Sequence, residues 1–193
     1  MGRHAQSGRV GGDGVVDVAD GTVRRPYGWG RLSAFGLTVA AITCVIDQAA
    51  KFWLVDIFDL ASRGAVAVAP FFDLVLTWNT GISYGLLQQQ GAAGQWALLA
   101  FKAVVVVFLW VWLARASSRL TAAALGLIIG GAVGNAIDRL HWPGVMDSVL
   151  FHIETAGWSF RWYVFNLADV AIVAGVVGLL YDSLRGGGAV KAP

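Results

Sequence analysis

The sequence predicts an all-α membrane protein: four transmembrane helices with a small β-rich platform and an interfacial loop or helix on the outer side. Three observations lead to this fold class. Hydrophobic residues make up 57% of the chain and charged residues only 13%, against about 25% in a soluble domain. Four apolar runs reach the roughly twenty residues that cross a bilayer. The nine tryptophans lie mostly near the ends of these runs, where aromatic rings favour the headgroup region.

Net charge and cysteine content narrow the function classes. The net charge of +2 gives no reason to expect a nucleic-acid partner. The single cysteine, Cys44, lies inside an apolar run, so no intrachain disulfide is possible. The chain has one predicted folded domain, at residues 32–182, between two tails.

The first 31 residues are rich in glycine, aspartate and arginine and have no hydrophobic period. We therefore predict a disordered cytoplasmic tail. A cleaved signal peptide is the alternative interpretation. The apolar run that follows is too long for a signal-peptide core, and no small-residue cleavage site follows it, which favours the tail.

The first span is predicted at Leu32–Val55. Asp47 and Lys51 lie one helical turn apart near its end, so they can pair along one face. An ion pair that only sets the depth of the helix in the bilayer explains them as well as a functional role does. Both interpretations stay open at this point.

Residues 56–94 are too polar and too often interrupted to span a membrane. Apolar residues between positions 66 and 76 predict short strands that break at Pro70 and Gly81, so we expect a small platform here. The segment Gly81–Gly85 matches the G-x-S-x-G pattern of a serine nucleophile. Nothing in the sequence predicts the strand-to-helix turn of an α/β sheet that this pattern requires, so tight turning at the two glycines is the preferred explanation.

The remaining chain predicts three more spans, an outer loop and a tail. The spans are Trp96–Ala114, Thr121–Leu140 and Val164–Tyr181. Lys102 in the second span either snorkels to the interface or faces the bundle. Gly126, Gly130 and Gly134 recur every four residues, which lets helices approach closely. Residues 141–163 are rich in aromatic side chains and predict an outer loop along the interface; residues 183–193 form a second cytoplasmic tail.

Four spans place both termini on the same side of the membrane. Nine of the fourteen lysines and arginines lie in the two tails and in the turn after the second span. By the positive-inside rule these segments face the cytoplasm. The other polar groups then meet near the outer face together with the platform, although they are far apart in the sequence. They include Asp47, Lys51, Arg139, Asp147 and Asp169.

Three aspartates in and around this set are candidates for chemistry: Asp138, Asp147 and Asp169. Two carboxylates that face each other in a water-poor site do not both ionise, so one keeps a proton. The ionised member can take a proton from water while the protonated member polarises a carbonyl, which hydrolyses an amide without a covalent intermediate. Asp138 lies next to Arg139, which favours a permanently ionised structural pair. We therefore prefer Asp147 and Asp169.

Two other functions compete with amide hydrolysis by acids. A metal hydrolase would draw on His141, His152 and Glu154, but the chain has no H-E-x-x-H pattern and this spacing puts no two ligands on one helical face. We expect no metal and no cofactor. A transporter or proton relay would also use acids in a membrane. The acids here gather near one surface, and there is no inverted repeat of broken helices.

Five motifs in order resemble those of the lipoprotein signal peptidases, also called signal peptidase II or prolipoprotein signal peptidase. They are DQAAK at 47–51, NTGISYG at 79–85, GGAVGNAIDR at 130–139, GVMD at 144–147 and FNLAD at 165–169. The resemblance extends over about residues 32–182. It implies a membrane aspartic endopeptidase of the bacterial inner membrane with its platform in the periplasm. Such enzymes remove the signal peptide of a prolipoprotein, cutting before a cysteine that already carries diacylglycerol.

The resemblance also implies roles for single residues. The catalytic pair of the family falls on Asp147 and Asp169, the pair that the acid chemistry selects. The other motif positions would support the site or hold substrate: Asp47, Lys51, Asn79, Gly81, Gly131, Asn135, Asp138, Arg139 and Asn166. Implied partners are diacylglyceryl-prolipoprotein substrates, membrane lipid and inhibitory peptide antibiotics of the globomycin type. Ser148 stands where relatives usually have an apolar residue. We expect the platform and the outer loop to close over bound substrate.

Overall fold

The computed structural model describes residues 9–10, 14–17, 22–24, 28–81 and 92–186. Within these ranges, four helices are long and apolar enough to cross a membrane, which confirms the predicted fold class. The helices are α1 (Ser33–Phe52), α2 (Leu60–Arg63), α3 (Ala92–Ala114), α4 (Arg119–His141) and α5 (Leu167–Leu184), and a π-helical turn at Trp53–Ile57 extends α1. The bounds of the four long helices agree with the predicted spans to within about four residues.

The helix α4 lies at the centre and packs against α1, α3 and α5. Its small residues allow this close approach. A side chain added at Gly130 would overlap the carbonyl oxygen of Ala40 in α1, and one added at Gly131 would overlap the carbonyl oxygen of Ala168 in α5. The predicted packing role of the glycine repeat therefore agrees with the contacts of α4.

A buried carboxylate joins α4 and α5 at the end of the bundle far from the platform. Ser118 caps α4, and its hydroxyl accepts a hydrogen bond from the Thr121 amide at 2.9 Å. The same hydroxyl donates to Asp182 Oδ2 at 2.9 Å, and the Thr121 hydroxyl donates to the same oxygen. Asp182 is 6% exposed, so this contact fixes the start of α4 to the end of α5.

The platform is a four-stranded antiparallel sheet whose strands lie side by side in chain order. Its strands are β4 (Val66–Ala69), β5 (Phe72–Asn79), β6 (Val145–Thr155) and β7 (Trp158–Arg161). The pairing of β5 with β6 sets Asn79 opposite Val145 and Thr77 opposite Asp147. The sheet thus places the end of β5 beside the start of β6, directly after α4.

The predicted outer loop at residues 141–163 is corrected by the structure. Most of this segment forms β6 and β7, so it belongs to the same sheet as the platform. The first four residues of β6 are all buried, so the strand has no alternation of apolar and polar side chains that would reveal it. The platform and the outer loop therefore form one sheet, and their closure over bound substrate stays a prediction.

Three short strands pair within the segment that the sequence analysis assigned to a disordered tail. They are β1 (Arg9–Val10), β2 (Gly14–Asp17) and β3 (Thr22–Arg24), in an antiparallel sheet of that order. Valines at positions 15, 16 and 23 favour extended backbone. The domain boundaries proposed from the sequence stay predictions. Ser83 and the rest of the G-x-S-x-G segment after Gly81 lie outside the described residues.

Candidate active site

Asp147 lies near the start of β6, and its side chain is held by two amides. The Asn79 Nδ2 group at the end of β5 donates to Asp147 Oδ2 at 3.2 Å. The Asn166 Nδ2 group donates to Asp147 Oδ1 at 2.6 Å. Asp147 is only 3% exposed, so the strand pairing and these two donors fix the direction of its carboxylate.

Asp169 lies in the first turn of α5, where it completes a capping box with Asn166. The Asp169 amide donates to Asn166 Oδ1 at 2.9 Å, and the Asn166 amide donates to Asp169 Oδ2 at 3.3 Å. Each group satisfies a backbone donor that a helix start leaves unpaired. The other carboxylate oxygen, Asp169 Oδ1, accepts from Asn135 Nδ2 at 3.0 Å.

Asn166 connects the two acids. The preceding residue, Phe165, exchanges backbone hydrogen bonds of 2.8 Å and 3.0 Å with Val149 of β6, and its carbonyl also accepts from the Ser148 amide at 3.0 Å. This pairing brings Asn166 beside Asp147 just before α5 begins. The Asn166 side chain therefore donates to one aspartate while it caps the helix that carries the other.

A buried ion cluster lies behind the two acids. Lys51 Nζ is 2.8 Å from Asp47 Oδ2 and 2.6 Å from Asp138 Oδ2, and none of the three side chains is more than 2% exposed. The predicted pairing of Asp47 with Lys51 along one helix face is present. Lys51 also donates to Asn135 Oδ1 at 3.1 Å, so the cluster is continuous with the amide that holds Asp169.

The sequence analysis expected Asp138 to pair with Arg139, and the structure gives Asp138 an ion pair with Lys51. Adjacent residues on a helix point in different directions, and Asp138 turns inward to Lys51. Arg139 instead donates to the carbonyl oxygen of Gly81. The Gly81 amide in turn donates to Asn79 Oδ1 at 3.0 Å, so Arg139 fixes the chain that follows β5 and orients Asn79.

The two acids of the cluster each hold the backbone next to one candidate catalytic residue. Asp138 Oδ2 accepts from the Met146 amide at 3.1 Å, directly before Asp147. Asp47 Oδ1 accepts from the Ala168 amide at 3.0 Å, directly before Asp169. These contacts cross large gaps in the sequence, and they set the relative positions of β6 and α5.

Gln48 belongs to this site although the sequence analysis did not select it. Its Nε2 group lies 2.8 Å from Asp138 Oδ1, 3.1 Å from the Gly134 carbonyl oxygen and 3.2 Å from Asp47 Oδ2. It therefore satisfies the second oxygen of Asp138. The available signal was its position between Asp47 and Lys51, on a helix surface that also faces α4.

The two acids and Asn79 form the polar end of a cavity of about 490 Å³. Its other walls are residues 162–165 and the α5 side chains Val170, Ile172, Val173 and Ala174. Val170 is 48% exposed and Val173 is 57% exposed, so this wall continues onto the apolar outer face of α5. In a membrane that face contacts lipid, and the cavity is accessible from the side.

Burial, together with the negative charge of Asp169, raises the pKa of Asp147 to about 6. Hydrogen bonds from Asn79 and Asn166 act in the opposite direction, because they stabilise the ionised carboxylate. Desolvation and a like charge both disfavour the charged form. Asp147 therefore holds a proton more readily than a solvent-exposed aspartate does.

The residues considered for a metal site have separate partners. His141 Nδ1 lies 3.1 Å from the Ile137 carbonyl oxygen. His152 lies 3.2 Å from Asp73 across the sheet, and Glu154 pairs with Arg161 at 2.9 Å near the surface. The structure does not bring these three side chains together.

Two solved structures have a similar fold. Both are described as bacterial membrane enzyme structures by the in meso method, at 2.3 and 1.9 Å resolution. Each matches 83% of this chain with a TM-score of 0.60. The match covers 93% of the first solved chain at 20% identity and 99% of the second at 19% identity. The fold therefore defines a multi-pass membrane protein built like bacterial membrane enzymes.

The sequence comparison identifies the family. Residues 39–185 match the family described as signal peptidase (SPase) II. The lipoprotein signal peptidase of Rhodopseudomonas palustris (strain TIE-1) is 60% identical over 158 residues, and that of Nitrobacter hamburgensis is 58% identical over 158 residues. Each match covers 82% of this chain and 96% of the relative. The chain belongs to the signal peptidase II family, which confirms the predicted family and makes it a peptidase.

Proposed function

We propose that this protein is an aspartic endopeptidase that removes signal peptides from diacylglyceryl-modified prolipoproteins. The cut falls on the amino side of the lipid-bearing cysteine. The relatives named lipoprotein signal peptidase support the substrate class. The observation that carries the aspartic type is the joint placement of Asp147 and Asp169, connected by Asn166 at the polar end of an apolar cavity.

The reaction needs one proton on the pair. Ionised Asp169 takes a proton from water, the water oxygen attacks the peptide carbonyl carbon, and Asp147 gives its proton to the carbonyl oxygen. The tetrahedral intermediate then breaks its C–N bond. Asp169 passes its proton to the leaving nitrogen, and Asp147 recovers a proton from one hydroxyl as the new carboxyl group forms. Both acids end in their starting states, and no covalent intermediate is needed.

The remaining site residues orient this pair. Asn79, Asn135 and Asn166 donate hydrogen bonds to the two carboxylates. Asp47, Lys51 and Asp138 hold the backbone beside each acid through the buried cluster. Arg139 and Gly81 fix the end of β5. Gly131 allows α5 to approach α4 closely at Ala168.

The side access of the cavity fits a substrate that stays in the bilayer. A diacylglyceryl group on the cysteine keeps the scissile bond near the interface, because each buried methylene adds about 0.8 kcal/mol of membrane attachment. The site accordingly faces the periplasmic side of the inner membrane with both termini in the cytoplasm, as the positive-inside rule predicts. Peptide antibiotics of the globomycin type would occupy the same cavity and exclude the substrate.

A cleavage assay on a purified lipidated prolipoprotein tests the proposal. Asp147→Asn and Asp169→Asn each lose at least about a hundredfold in kcat, because each removes one proton-transfer group. Asp73→Asn is the matched control, since that aspartate lies in the outer sheet and pairs with His152. It retains the activity of the unaltered enzyme.

The same assay separates the competing functions. Substrate without diacylglycerol is cleaved poorly, and a chelator leaves the rate unchanged. An Asp169→Asn enzyme with full turnover would eliminate the aspartic mechanism. Cleavage that stops on chelation would point instead to a metal hydrolase.

A further inference from the structure

The helix α3 carries a lysine that no motif explains. Lys102 is partly buried and lies one turn before Val105 and Val106 and two turns before Leu109. These three residues pack in the bundle core with Leu113, so Lys102 shares the protein-facing side of α3. The residues around it on the opposite side are exposed: Phe101, Val104, Val107 and Phe108. The side chain therefore faces the bundle rather than lipid.

The charges of groups on three helices act on the Lys102 ammonium. These groups are Arg139 and Asp138 of α4, Asp169 of α5 and Lys51 of α1. Asp138 already has an ion pair with Lys51 at 2.6 Å. Asp169 accepts hydrogen bonds from uncharged amides of Asn135 and Asn166, and it has no ion pair within 4 Å in the described part of the chain.

The charges of the site balance only when Lys102 is included. Among the described residues, the site as a whole contains four carboxylates: Asp47, Asp138, Asp147 and Asp169. It contains three cations: Lys51, Arg139 and Lys102. One proton on the acid pair makes the whole site neutral, and a large net charge in a buried site is costly. Without Lys102, neutrality would require a second proton, and the pair would have no ionised member to act as base.

We propose that Lys102 is a positioning residue for the reaction: it keeps Asp169 ionised and so leaves the single proton of the pair on Asp147. This inference rests on the proposed aspartic mechanism. It assigns the base and the acid from the charges around the site. Lys102 acts through Asp169 and needs no contact with the substrate.

Three variants test this role in the lipidated-prolipoprotein assay. Lys102→Met removes the charge and suits an apolar helix, Lys102→Arg keeps the charge, and Phe101→Met is the control on the lipid-facing side of the same turn. We expect Lys102→Met to lose up to about tenfold in kcat at pH values on the acidic limb, with little change in KM. The acidic limb of its pH–rate profile moves to higher pH by about one unit, the size expected for a unit charge several ångströms away. Activity therefore recovers as the pH is raised.

The controls separate charge from structure. Lys102→Arg retains most of the activity and the original acidic limb, and Phe101→Met matches the unaltered enzyme. If the acidic limb of Lys102→Met does not move, the inference is wrong at any measured rate. It is also wrong if Lys102→Arg is as impaired as Lys102→Met. Either result leaves the aspartic mechanism standing, because that mechanism is tested separately by Asp147→Asn and Asp169→Asn.

Discussion

Asn79 influences the protonation of one residue, Asp147, through a hydrogen bond. Its amide donates to Asp147 and stabilises the ionised carboxylate, so it holds the pKa of Asp147 below the value that burial alone would give. The protonated form of Asp147 is the acid of the proposed mechanism. The basic limb of the pH–rate profile therefore reports the loss of this proton, as an apparent value that belongs to the interacting pair.

Replacing Asn79 by alanine should move this limb. The pKa of Asp147 rises when the donor is lost, so the enzyme keeps its proton to higher pH. A hydrogen bond of about 1 kcal/mol corresponds to a shift of roughly 0.7 pH units. The measurement is kcat/KM against pH, with Thr77→Ala as control because that exposed residue lies on the same strand. A basic limb that stays in place or moves to lower pH would contradict this role of Asn79.

Removing the charge of Asp147 should stabilise the folded protein. The pKa of Asp147 is raised on folding, so the folded state binds more protons than the unfolded state between about pH 4 and pH 6. Stability from this residue is present at low pH and is lost as the pH rises through about 6. Asp147→Asn has no charge to bury, so it avoids this loss of stability. A gain of about 1 kcal/mol in the free energy of unfolding raises the melting temperature by about 2–4 °C at this chain length. Thermal unfolding in detergent at pH 7.5 and pH 5 measures it; the gain should be smaller at pH 5.

Asp138 has the opposite effect on stability. It is fully buried and bonded to Lys51, Gln48 and the Met146 amide. Breaking a buried ion pair costs about 3–5 kcal/mol, so Asp138→Asn should lower the melting temperature by about 10 °C. The exposed Asp56→Asn is the control. An unchanged melting temperature in Asp138→Asn would contradict this structural role.

At the scale of helices, the contact between α4 and α5 determines where Asp169 lies. Gly131 faces the Ala168 carbonyl oxygen, one residue before Asp169. An added methyl group at position 131 must push the start of α5 away from α4. The hydrogen bond from Asn135 to Asp169 crosses the same contact, so it lengthens when the helices separate.

Gly131→Ala should therefore reduce activity by about tenfold or more, since small displacements at a site have large effects on rate. Gly157→Ala is the control, because a side chain there meets nothing within 4 Å. Both variants are compared by kcat and by melting temperature. A Gly131→Ala enzyme with unaltered kcat would mean that α5 can shift without moving Asp169 relative to Asp147.

At the scale of the whole molecule, we expect the sheet and the α3–α4 turn to lie on opposite sides of the membrane. In a Cys44→Ser background, a cysteine at Gly157 in the β6–β7 turn should react with an impermeant thiol reagent in intact spheroplasts. A cysteine at Ser117 in the α3–α4 turn should react only after the membrane is opened. The reverse pattern would overturn the orientation that the positive-inside rule predicts.

The sequence predicted the bundle better than the sheet, for a physical reason. Apolar length is a property of each span by itself, so the four helices could be located from hydropathy. The strands β6 and β7 depend on pairing with a partner far away in the chain. Their aromatic residues Phe151, Trp158 and Phe160 are equally typical of an interfacial loop, and no alternation of apolar and polar residues identifies the buried start of β6.

The sequence indicated the candidate site residues but not the contacts between them. Asp169 stands out because a membrane segment tolerates few acids, and Asp147 stands out because no basic residue lies next to it in the sequence. The partner of Asp138 depends on how α1 packs against α4, because 86 positions separate Lys51 from Asp138 in the sequence. Gln48 was missed for the same reason, since its acceptors lie on another helix.

The capping box at the start of α5 has a practical consequence for anyone who wants to capture an enzyme–substrate complex. One oxygen of Asp169 accepts from the backbone amide at the start of the helix, so truncation to alanine destabilises the helix start and also removes the catalytic base. Asparagine keeps one oxygen for the backbone amide, while it loses the base and the second oxygen that accepts from Asn135. A substrate-trapping variant is therefore better made as Asp169→Asn than as Asp169→Ala, because asparagine preserves the start of α5.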